Sequence, residues 1–133
     1  MRFMMIVIPK GYEKAKPGTM PDAKMVAAMS KYNLELKNAG VLLSVDGLHP
    51  QAEGVRVSFP NGQPKITKWP FPEANETVGG YWLINVPSQE EAIKWATKVP
   101  PSDIMAIEIR QVQEIEDFPE DVKKAAAEFS LSK

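Results

Sequence analysis

The sequence predicts an α+β domain, a sheet with two helices on one face. Three observations carry that expectation. Residues 2–8 and 77–86 are apolar at both alternating sets of positions, the pattern of inner strands covered on two sides. One stretch after each of these strands has apolar residues at spacings of three and four, which reads as an amphipathic helix. Two short alternating segments around Asn61-Gly62 read as a β-hairpin set into the middle, and without it the order is β-α-β-β-α-β.

The first strand, Arg2 to Ile8, places Phe3, Met5 and Val7 on one face and Met4, Ile6 and Ile8 on the other. A polar loop follows, from Gly11 to Thr19. Thr19 and Pro21 mark a helix start and Gly40 its stop, because proline is preorganised for a first turn and glycine accepts the left-handed closing conformation. Between them Met25, Met29, Tyr32 and Leu36 recur at spacings of 4, 3 and 4 as the buried stripe. Val41 to Leu48 reads as a strand with Val41, Leu43 and Val45 on one face and Leu42, Ser44, Asp46 and Leu48 on the other.

The hairpin arms are Val55 to Phe59 and Pro64 to Lys68, with a two-residue turn at Asn61-Gly62. Thr77 to Val86 is the second central strand, where Gly79 and Gly80 leave room for a close neighbour. Ser88 and Glu91 form a capping box, after which Ala92, Trp95, Ala96 and Val99 fall on one helical stripe before Pro100-Pro101 ends it. Ile104 to Val112 is the last strand, with Met105, Ile107 and Ile109 on one face and Ala106, Glu108 and Arg110 on the other. An acidic connector, Glu114 to Asp117, leads to a short helix that Phe118-Pro119-Glu120-Asp121 opens and whose stripe is Val122, Ala125, Ala126 and Phe129. Residues 1–112 thus form the domain, and 113–133 a connector and a helix too short to stand without a surface to dock on.

At 133 residues the chain is long enough for one domain with a real core, and two full domains would be a squeeze. Sixteen basic residues against 17 acidic ones supply no basic surface for nucleic acid. No Cys and a single His, His49, exclude a disulfide framework, a thiolate nucleophile and a Cys/His zinc site, so neither metal nor cofactor is expected. The N-terminal apolar run is too short for a signal peptide or a membrane span, so a cytoplasmic protein without a membrane partner is expected. Ser44, Ser58, Ser88 and Ser102 lack a nucleophile elbow, and the acidic connector lacks a calcium-loop pattern.

The β-α-β-β-α-β order is that of ferredoxin-like, split βαβ antiparallel sheets, whose helices share one face. The opposite face is then bare although its inner strands are apolar. A second copy is the simplest cover, which predicts a homodimer packed sheet against sheet about a two-fold axis.

The run Met29-x-x-Tyr32-x-x-Glu35-Leu36-x-x-Ala39-Gly40-Val41-Leu42, followed by Asp46-Gly47-Leu48-His49-Pro50, resembles the YCII-related family, in particular its DGPF-signature branch. Gly79-Gly80-Tyr81-Trp82-Leu83-Ile84, Glu90-Glu91-Ala92-x-x-Trp95-Ala96, Val99-Pro100 and Glu108-Ile109-Arg110-Gln111-Val112 continue the likeness in order, to about residue 112. The resemblance implies a dimeric ferredoxin-like α+β barrel and says little about activity. Two departures stand out. Lys68-Trp69-Pro70-Phe71 occupies the position of the Asp-Gly-Pro-Phe signature, so a base replaces its acid. Some smaller relatives pair a His early in the first helix with an Asp after the second; here Met20 to Met25 holds no His, and Val99 stands near the Asp position.

Candidate site residues follow from chemistry and face. Histidine is the side-chain type best suited to exchanging protons at neutral pH, and His49 follows a strand carrying Asp46, so it is either an acid–base group or a turn residue before Pro50. Glu108 and Arg110 share a side of the last strand, and Ser44 and Asp46 share a face of another. If both face away from the helices, Arg110 can hold a carboxylate with Glu108 as base or orienting group; the alternative is a structural ion pair. Tyr32 and Trp82 are either a pocket wall or core. Trp69, with Glu73 beside it, lies in a Pro-rich loop at a pocket mouth or under the hairpin.

Three functions are compatible with these residues. The first is a homodimeric domain holding a small organic ligand between the sheet and its partner, with Arg110 as anchor. The second is a cofactor-independent lyase or isomerase using Glu108 or His49 as acid–base. The third is an interaction or regulatory module that works through the tail helix or the hairpin.

Overall fold

The computed structural model describes residues 1–71, 77–101 and 104–128; Glu73, Ser102 and Phe129 lie outside them. Its elements are β1 (Arg2–Pro9), α1 (Ala23–Asn38), β2 (Leu42–Gly47), β3 (Val55–Ser58), β4 (Lys65–Lys68), β5 (Gly80–Asn85), α2 (Gln89–Thr97), β6 (Ile104–Gln111) and α3 (Glu120–Glu128). Strands β2, β5, β1 and β6 form one sheet in that order, every neighbouring pair antiparallel, and β3 pairs with β4 in a separate ribbon. This is an α+β fold. Because α1 returns the chain across one face, β1 and β2 run the same way and leave a gap between them that β5 fills.

The core lies between that face and the helices. Phe3, Met5, Trp82 and Ile84 of the sheet meet Tyr32 and Leu36 of α1 and Ala92 of α2. Each large apolar side chain withdrawn from water here contributes about 1.5–3 kcal/mol. On the opposite face Met4, Ile6, Tyr81 and Leu83 are only half-buried.

Helix α1 starts later than Thr19-Pro21 implies. Asp22 is its N-cap and accepts a 2.7 Å hydrogen bond from the Met25 amide, a cap that satisfies an orphan donor as Thr19 would have done further upstream. Its end agrees with the reading of Gly40. That residue takes φ 74°, and the Gly40 and Val41 amides bond back to the Lys37 and Leu36 carbonyls in a Schellman closure. Ser88 caps α2, accepting from the Glu91 amide at 3.2 Å.

Two local expectations need correction. A bulge at Leu43 shifts β2 against β5, so Leu42 pairs with Ile84 but Ser44 pairs with Leu83. The extra residue puts Leu42 on the helix side while Ser44 and Asp46 stay on the open side, so the strict alternation from Leu42 to Leu48 fails. The ribbon turn is longer than two residues. Asn61 and Gly62 do take positive φ, but the connection runs from Phe59 to Pro64, because Pro60 and Pro64 have no N–H to extend the ladder.

The close neighbours of Gly79 and Gly80 are backbone and ring atoms. A Cβ on Gly80 would stand 2.6 Å from the Asp46 carbonyl oxygen, and one on Gly79 2.8 Å from Pro9 Cγ. The acidic connector contains a 3-10 turn, Ile115–Asp117, and is tied to β1 by a two-pronged ion pair between Arg2 and Glu114 at 2.8 and 2.9 Å. Beyond it α3 packs chiefly on that turn. Among the described residues no helix is long and apolar enough to cross a membrane.

Candidate functional site

The register arranges the open face in two cross-strand rows. One reads Ser44, Leu83, Met4, Arg110 and the other Asp46, Tyr81, Ile6, Glu108. Four of the sequence-selected residues therefore share this face, but on its two edges. Three strand spacings separate Asp46 from Glu108, roughly 14 Å. Arg110 Nη1 lies 3.3 Å from Glu108 Oε2 along its own strand, both side chains at least half exposed. On the other flank the Tyr81 hydroxyl donates to Asp46 Oδ2 at 2.6 Å, and that bond raises the phenol pKa, with burial adding to it. The chain thus shows two polar flanks around an apolar centre rather than one cluster.

Tyr32 and Trp82 are inside the core, not on a wall. Tyr32 donates from its hydroxyl to the Trp95 carbonyl at 2.7 Å, and Trp82 Nε1 donates to Asn33 Oδ1 at 2.6 Å. Their rings meet edge to face with centroids 5.2 Å apart. Burial, with Glu35 nearby, pushes the Tyr32 phenol well above its ordinary range. Both polar atoms are satisfied by the protein and both rings are covered, so neither residue offers a free contact. Trp69 is 40% exposed at the exit of β4, away from these two.

A different site is built at the end of the sheet. The loop after β1 turns at Gly11, in the left-handed region at φ 69°, and is fastened to the segment after β2. The Tyr12 hydroxyl donates to the Leu48 carbonyl at 2.6 Å, and the Gly18 amide donates to Glu53 Oε2 at 2.9 Å. Burial raises the Tyr12 phenol pKa, helped by the Glu53 charge. Between this strap, the start of α1 and the sheet end lies a cleft of about 600 Å³. Val7, Pro9, Met25, Met29, Leu48 and Ile104 make it apolar.

Its polar groups are few. His49 lines the cleft with Nδ1 3.6 Å from Glu53 Oε2, in a short helical turn that follows Pro50. Asp22 also lines it, with one carboxylate oxygen committed to capping α1. Among the described lining residues Lys10 carries the only permanent positive charge. An apolar hollow with a few convergent polar groups suits a small organic molecule. Among the described residues no group of three His, Asp or Glu is placed to hold a metal ion.

Of the described residues selected from sequence, His49 alone reaches the cleft, while Ser44, Asp46, Glu108 and Arg110 share the open face. Lys10, Tyr12, Asp22 and the methionines escaped notice, since the first two looked like solvated loop and Met25 and Met29 like ordinary core stripe. The usable signal was a Pro- and Gly-rich loop leading into a helix start with Met20, Met25 and Met29 around it. Compared with known proteins, residues 1–116 match the profile of a family described as the YCII-related domain, and no curated protein matches.

Proposed function

The chain belongs to the YCII-related domain family, and on that footing we propose that it is a homodimer in which each protomer binds a small organic molecule in the cleft at the end of its sheet. The observation that carries the ligand reading is the cleft, an apolar hollow of about 600 Å³ with Lys10, Asp22 and His49 among its lining residues. The ligand sits there rather than between sheet and partner, because Arg110 and Asp46 stand on opposite edges of the open face. The apolar centre of that face, Met4, Ile6 and Leu83, is assigned to the second copy, which closes the two sheets into a dimeric barrel. Within the family the ordered fragments from Met29 to Val112 support an assignment to the DGPF-signature branch, its signature altered to Lys68-Trp69-Pro70-Phe71.

The test is a thermal-shift screen of small metabolites against the wild type and Met25→Trp, which fills the cleft from its floor. Compounds that raise the melting temperature of the wild type should lose that effect in the variant. Hits that stabilise both equally would place binding elsewhere.

One observation favours a second, catalytic reading: His49, a side-chain type suited to proton transfer, lines the cleft with its Nδ1 3.6 Å from the Glu53 carboxylate. Glu108 lies outside the cleft and drops out of this reading. Turnover of a bound compound, abolished in His49→Asn while binding persists, would establish it.

A further inference from the structure

We propose that the C-terminal segment of one copy, Glu116 to Glu128, docks on the β3–β4 ribbon of a second copy. The inference rests on the dimer argued above.

The ribbon presents an unpartnered apolar face. Val57 pairs with Ile66 and Val55 with Lys68, so these four side chains share one side, on which Val55, Val57 and Ile66 are 57, 50 and 70% exposed. The other side is used by its own chain, where the Arg56 guanidinium stacks 4.4 Å from the Phe71 ring centre. The ribbon packs chiefly against itself. From Gly54 to Phe71 the sequence holds Arg56, Lys65 and Lys68 and no carboxylate.

The tail has the complementary character. From Glu116 to Glu128 it carries five carboxylates, Glu116, Asp117, Glu120, Asp121 and Glu128, against Lys123 and Lys124, with Val122 40% exposed and Lys123 3.6 Å from Glu120. At nine residues α3 is too short to persist in water on its own, and it meets little of the body. An apolar, basic face and a net acidic segment with an exposed apolar stripe complement each other in surface and charge.

The two leave the sheet of one chain at opposite ends. The ribbon leaves the sheet at Gly47 and Gly80, opposite Val7, while the tail leaves beside Arg2, at the other end of β1. Those ends lie roughly 15–20 Å apart along the strands. A two-fold axis running across the strands, between two facing sheets, reverses strand ends and brings the ribbon end of one copy over the tail end of the other. An axis along the strands would set ribbon on ribbon and like charge on like.

The chain has no cysteine, so disulfide trapping is free of background. Full-length Ile66→Cys and Val122→Cys chains, differently tagged and co-expressed, should give a mixed disulfide dimer on oxidation. Lys68→Glu should lower its yield by about two- to fivefold, and Glu120→Lys on the tail chain should restore it. If sedimentation shows a dimer but no mixed disulfide forms, or if Ile66–Ile66 links dominate, the docking fails and the dimer stands. A wild type that sediments as a monomer overturns both.

Discussion

The hydroxyl of Tyr81 donates a 2.6 Å hydrogen bond to Asp46 across the β5–β2 pairing, on the sheet face that carries no helix. The bond holds the phenol in its protonated form, since ionisation would break it and set two negative charges together. Asp46→Asn should therefore move this tyrosine down toward its ordinary pKa while Tyr12 and Tyr32 stay raised. Carbon NMR of Cζ-labelled tyrosine over an alkaline titration reads the three separately. An unchanged Tyr81 would mean that Asp46 is not its partner.

Gly80→Ala should be strongly destabilising although the residue lies in plain extended strand. The added Cβ would meet the Asp46 carbonyl oxygen at 2.6 Å and Gly47 Cα at 3.2 Å, both backbone atoms that move only if β2 and β5 separate. A loss of about 1–3 kcal/mol in urea unfolding is expected, as for other overpacked sites. A neutral result would contradict this strand contact.

Arg2 holds the Glu114 carboxyl below the usual range by direct hydrogen bonds, and Glu114 in turn raises Arg2. A carboxylate whose folded pKa is depressed contributes stability above its unfolded pKa and loses it as pH falls through the folded one. Glu114→Gln should thus be less stable than the wild type at neutral pH. The two melting curves should converge in acid, as the pH falls through the depressed folded pKa of Glu114. A gap that persists in acid would assign the loss to something other than this ion pair.

Much of the fold was legible because its signals are local. Residues apolar on both faces marked β1 and β5, Ser88 and Glu91 marked α2, and Gly40 closed α1 with the left-handed turn that its lack of a Cβ permits. What escaped depends on pairing. The bulge at Leu43 exists only against β5, so alternation within β2 could not reveal that Leu42 and Ser44 face opposite sides. Pro60 and Pro64 were the missed warning that the Asn61-Gly62 turn would not be tight.

The site was less legible than the fold for the same reason. Glu108 and Arg110 were correctly placed on one side of their strand, yet only the sheet order shows that Asp46 stands on the far edge. The cleft joins the loop after β1, the start of α1 and the exit of β2, three segments brought together by Tyr12–Leu48 and Gly18–Glu53 contacts over 35 positions or more. Of these groups only the lone His49 announced itself, by rarity.

The proposal that a second copy covers the open face is tested most directly by sedimentation equilibrium of the wild type and Ile6→Lys. Ile6 lies at the centre of that face, between Tyr81 and Glu108, and its side chain points away from the core, so lysine there leaves the protomer folded. The wild type should sediment at twice the chain mass at micromolar concentration, and Ile6→Lys, with unchanged circular dichroism, at the mass of one chain. A monomeric wild type, or a variant that dimerises as tightly as the wild type, would contradict the account.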